Sequence, residues 1–190
     1  MNTPLGIRIA IWTWFFAALA AGRFALWQQA PALALPATLF ILAGLLVLAY
    51  RLVPPFHTWV DGAGLRMLVL LHATRFVGFY FLVLQQRGDL PARIAVPGGL
   101  GDCTVALFAI LLTALPLAEP TRRRAIAIWN VAGCADLVWV VVSAVRLELA
   151  APGSLQPFTH LPLSLLPTFL YPLLLAVHVA VFARLARAPR

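Results

Sequence analysis

Six long apolar stretches divide the chain, at approximately residues 8–28, 35–53, 66–86, 94–117, 125–147 and 162–184. Each approaches the roughly 20 apolar residues that a helix needs to cross a hydrocarbon core about 30 Å thick. Turn-forming residues stand between them: Pro31 and Pro36, Pro54-Pro55, Gly88-Asp89 with Pro91, Pro120, and Pro152-Gly153. The pattern predicts an all-α membrane protein, a polytopic bundle of about six transmembrane helices. No low-complexity segment or soluble domain is left over, so residues 1–190 read as a single transmembrane helical domain.

The start has the outline of a signal peptide: Arg8, an apolar run from Ile9, then Ala18-Leu19-Ala20. The apolar stretch continues past any cleavage point, which favours a first span instead. Composition agrees with lipid as the solvent, because 63% of the residues are hydrophobic and 11% charged. The net charge of +8 comes wholly from arginine. With no lysine, a Schiff-base cofactor or lysine nucleophile is excluded. The arginines lie between apolar spans and not in one patch, so no nucleic-acid partner is expected.

Their distribution also orients the chain. With the N-terminus inside, Arg8, Arg51, Arg66, Arg122-Arg123-Arg124, Arg184, Arg187 and Arg190 fall on the cytoplasmic side. Arg87, Arg93 and Arg146 fall outside, and the excess favours both termini in the cytoplasm. Trp12, Trp27, Tyr50 and Trp129 are then expected near the interfaces. Cys103 and Cys134 lie in apolar segments without CxxC spacing and read as small packing residues.

The fourth segment contains "AVPGGLGDCTV", residues 95–105. Pro97 interrupts helical hydrogen bonding, and Gly98, Gly99 and Gly101 weaken the helix further. A fourth helix broken or kinked near Pro97–Gly101 is expected, with Asp102 capping its inner half. The competing reading is an ordinary helix that starts late, after an outer glycine loop.

Ionisable groups inside spans are costly, so they normally face the protein interior and pair. Helical rise places Arg75 and Asp136 about 14 and 17 Å from the inner surface, and Asp102 about 12 Å from the outer one. All three approach the midplane. Asn130, His72 and His178 form a second layer about 8–9 Å deep. His72, Arg75, Phe79, Leu82 and Gln86 make one helical stripe on the third segment. Ser164, Pro167, Tyr171, Leu174 and His178 make another on the sixth, and Asn130, Gly133 and Asp136 a row on the fifth. His57 and His160 read as loop residues without signal.

The segments "RFVGFYFL", "GDLPARIAVPGGLGD", "WNVAGCADL" and "LPTFLYPLLLAVH" resemble a group of small bacterial six-helix integral membrane proteins. The resemblance covers residues of about 70–180 and implies a multi-pass protein of the bacterial plasma membrane. No activity comes with it. The group's pattern fits Arg75, Asp102, Asn130, Asp136 and His178, while the place of His72 more often reads Gln.

Four functions compete. The first is a transporter or binder of a small polar or amphiphilic ligand, held by Arg75, Asp102, Asn130, Asp136, Tyr171 and His178. In it Arg75 takes an anionic group and the aspartates pair with it or carry a proton. The second is a membrane enzyme acting on a lipid or isoprenoid, with Asp102 and Asp136 as acid and base. No nucleophile–base pair or metal signature supports it, and no metal is expected. The third is a structural or assembly subunit whose polar groups only staple helices. The fourth is a b-type cytochrome with His72 and His178 as axial ligands. The glutamine that the resemblance places at His72 counts against haem b, so no cofactor is expected. The partners expected are the bilayer and a small polar or lipid ligand, and the composition is compatible with an oligomer.

Overall fold

Lipid leaves a spanning backbone no hydrogen-bond partner but itself, and a helix pairs its N–H and C=O groups internally. The structure, a computed structural model, describes residues 3–187 and contains among them seven helices and no strand. They are α1 (Leu5–Arg23), α2 (Ala34–Leu52), α3 (Pro54–Gly62), α4 (Leu65–Gln86), α5 (Ala92–Ala114), α6 (Glu119–Ala150) and α7 (Leu166–Ala186). All except α3 are long and apolar enough to cross a membrane.

The spans lie close to the expected ones, and α3 is an addition. Pro54-Pro55 reads as a turn in the sequence, yet it opens a helix. Proline suits the first helical turn because the N–H groups there have no helical acceptor. His57 therefore stands on a helix and not in a loop. Its Nε2 is 3.5 Å from Asp61 Oδ2, and Tyr50 donates its hydroxyl to Asp61 Oδ1 at 2.8 Å.

The expected break in the fourth span is absent: α5 is one uninterrupted helix with Pro97 inside it. Its first turn is formed on Pro91, whose carbonyl accepts from Ile94 and Ala95 at 3.1 and 3.0 Å. Pro97 comes in the second turn and removes a single donor, the one that would reach the carbonyl of Arg93. Asp102 accordingly lies mid-helix and caps nothing.

α4 changes winding along its length. Leu71–Val77 is wound as a 3-10 helix between two α-helical ends. Three residues per turn stack positions i and i+3 in one column. Val69, His72, Arg75, Gly78, Phe81 and Leu84 are all buried, in steps of three. The stripe expected from α-helical spacing is thus corrected beyond Arg75: Phe79 is 57% exposed, and Gly78, Phe81 and Leu84 point inward instead.

α7 opens with a wide π-helical turn, Leu166–Leu170. Pro172 lacks the N–H that would serve the Thr168 carbonyl, and Trp14 Nε1 donates to that oxygen at 2.8 Å. The stripe Ser164, Pro167, Tyr171, Leu174 and His178 is buried throughout, as its spacing predicts.

The chain forms two compact units. One gathers the residues up to Gly62 with Ala144–Ala176. In it Trp14 and Phe15 pack on Phe169 at ring-centroid distances of 4.6 and 5.2 Å. The other unit joins Ala63–Ser143 with the residues from Val177 onward. Its core holds Val69, Phe81, Ala95, Ala106, Ala109, Ile126 and Val181, each fully buried.

Candidate functional site

In the second unit, the 3-10 column of α4 puts Arg75 directly beneath Gly78. A Cβ on Gly78 would lie 2.7 Å from both Asp102 Cβ and the Gly99 carbonyl oxygen, so only glycine lets α4 and α5 cross this closely. On α5, Gly101 leaves room for the Asp136 carboxylate of α6 in the same way. Gly99 and Gly101 thus serve helix approach and not a backbone break, while a Cβ on Gly98 would meet only ordinary contacts, at 3.5 Å and beyond. The signal available in the sequence was the position of Gly99 and Gly101, within one turn of Asp102.

The crossing delivers two carboxylates to one guanidinium. Arg75 Nε donates to Asp102 Oδ1 at 2.6 Å, Nη1 to the Gly133 carbonyl at 3.0 Å, and Nη2 to Asp136 Oδ2. The side chains of Arg75 and Asp102 are fully buried, while that of Asp136 keeps 20% of its surface. With all three groups ionised, the triad carries one net negative charge.

A second layer lies on α4, α6 and α7. Asn130 Nδ2 donates to the backbone carbonyl of His178 at 3.1 Å, and its Oδ1 meets His178 Nδ1 at 2.8 Å. His72 packs against His178 and Trp129, with ring centroids 4.1 and 5.0 Å away. Trp129 is buried and donates Nε1 to the Val105 carbonyl at 3.0 Å, so it belongs to this interior and not to an interfacial belt. Gly133 joins the layers. Its carbonyl takes Arg75, and a Cβ there would lie 3.0 Å from His178 Cε1.

The structure therefore brings Arg75, Asp102 and Asp136 together, and Asn130, His178 and His72 beside them. Tyr171 is buried in the first unit. Sequence spacing missed Gly78 and Trp129. The period of three in α4 only emerges from its backbone, and an interior tryptophan is not separable from an interfacial one by type.

Arginines at the start of α6 and the end of α7 meet the loop before α4 at one end of this unit. Arg123 Nη2 donates to the carbonyls of Leu185 and Arg187 at 3.0 and 3.1 Å, and Arg184 Nη1 to that of Ala63 at 3.0 Å. Cations at a helix C-terminus complement its free carbonyls and its dipole.

A family model described as Domain of unknown function (DUF8737) matches residues 32–186. No curated protein and no solved structure matches the chain.

Proposed function

The chain belongs to the DUF8737 family, and we propose that it is a membrane-embedded carrier of a proton or small cation, exchanged at the Arg75–Asp102–Asp136 triad. One observation carries this reading: two carboxylates share one guanidinium, and Asp136 is the partly exposed member. Arg75 already bonds through Nε, Nη1 and Nη2 to groups of its own chain, two of them carboxylates, and an anionic ligand there would meet their negative charge. The spare charge of the site is negative, and a proton or cation on Asp136 neutralises it. General acid–base catalysis is less well supported, because Asp102 lies fully buried behind Arg75. Haem has no part in the proposal: the His72 and His178 rings stand against each other, whereas two axial ligands face one iron from opposite sides.

The test is flux through proteoliposomes. The parent protein is expected to move protons or sodium, potassium or ammonium ions down an imposed gradient, read with an internal pH dye and ion electrodes. Asp136→Asn is expected to abolish the flux while the protein still purifies as a monodisperse species. A parent without flux of any of these ions overturns the reading.

A staple without a ligand is the second reading. It is favoured by the bonding of Arg75, whose three contacts tie α4 to α5 and α6.

A further inference from the structure

We propose that His72 and His178 form a second intramembrane site, which holds one small hydroxylic ligand on His178 Nε2. The inference does not rest on the flux reading above. It begins with a tautomer. The backbone carbonyl of His178 can only accept, so the Asn130 group bonded to it at 3.1 Å is the amide Nδ2. Asn130 then presents Oδ1 to the His178 ring at 2.8 Å. An amide oxygen only accepts as well, so His178 donates through Nδ1, and Nε2 keeps its lone pair.

That lone pair has no donor among the described residues. Neither do the two ring nitrogens of His72 have any partner there. Both residues are fully buried, and the rings stand 4.1 Å apart. Nearby polar groups are committed: Trp129 Nε1 to Val105, and Arg75, one turn along the same column, to the two aspartates. Buried polar groups in proteins nearly always find a partner, so an acceptor and a neutral imidazole side by side call for a molecule able to donate and accept. A hydroxyl is the smallest group that does both. Water and the hydroxyl of an organic molecule share this chemistry. Gly133 lies against that edge of the ring: a Cβ there would be 3.0 Å from Cε1 and 3.4 Å from Nε2, so an added methyl crowds it.

The experiment is solid-state NMR of the histidine-15N-labelled protein in nanodiscs. His72→Gln identifies the His72 signals, and the parent carries the measurement. The expected spectrum has His178 protonated at Nδ1, with Nε2 shifted as a hydrogen-bond acceptor. Polarisation is expected to reach the rings from water, or from organic protons that show ring-to-alkyl cross-peaks. The first identifies water as the occupant and the second an organic hydroxyl. Gly133→Ala is expected to reduce that transfer several-fold. His178 protonated at Nε2, or a direct nitrogen–nitrogen coupling between the two rings without transfer from either source, overturns the proposal.

Discussion

Arg75 is a fully buried cation, and its three contacts explain how such burial is tolerated. Removing it leaves two carboxylates facing each other with nothing between them. In soluble proteins, breaking such a buried pair costs about 3–5 kcal/mol, and rearrangement in a bilayer softens the figure. Arg75→Ala is expected to lower thermal stability in detergent markedly, and Asp102→Ala to cost more than Asp136→Ala. Asp136 retains 20% of its side-chain surface, so its loss uncovers less unsolvated charge. Replacing Arg75, Asp102 and Asp136 together by leucine is expected to restore much of the stability, because no unpaired charge then remains. Thermal melts of the purified variants check the order. Equal stability of Arg75→Ala and the parent would show that the guanidinium is not held as described. At this scale the sequence was informative: the cost of burying charge required Arg75 to find partners, and only two acids lay at its depth. It did not show that both acids would bond the same guanidinium, with the Gly133 carbonyl as its third acceptor.

At the scale of elements, the crossing of α4 and α5 depends on two glycines placed face to face. A Cβ on Gly99 would lie 2.7 Å from the Gly78 carbonyl oxygen, and the reverse clash is as close. Backbone cannot step aside as a side-chain tip can, so either alanine variant must push the helices apart. Overpacking of this kind costs about 1–3 kcal/mol. Gly78→Ala and Gly99→Ala are both expected to lower the melting temperature. Gly44→Ala, where nothing lies within 4 Å, is expected to leave it unchanged or raise it. A neutral Gly99→Ala would refute the close crossing. The glycines of α5 were visible in the sequence, but their purpose was not. Composition signals weakened helix, while the neighbour that requires the missing side chain arrives from a segment some 20 residues earlier.

For the whole molecule, six helices are long and apolar enough to cross a membrane; an even number of crossings is expected to return the chain to its starting side, and the arginine excess to mark that side as cytoplasmic. The hydrogen bonds of Arg123 and Arg184 gather the loop before α4, the start of α6 and the end of α7 at one end of their unit. Dual-reporter fusions after Glu119 and at the C-terminus are expected to read cytoplasmic, and fusions after Gly88 and Gly153 periplasmic. A periplasmic C-terminus would reverse the orientation. The spans themselves were legible in the sequence because lipid imposes a strict rule on every segment: enough apolar length, with all backbone groups paired inside the helix. The depths expected for the polar residues rested on the same rule and on α-helical rise, which the 3-10 turn of α4 lengthens around His72 and Arg75. The tertiary structure decided the rest. The tighter winding of α4 turned Gly78 inward where α-helical spacing pointed to Phe79. The approach of α5 and α6 turned three polar residues at one depth into a closed triad with His72 and His178 beside it. Rotation about a helix axis and the distance between helices are set by side chains from other segments, and no single segment encodes them.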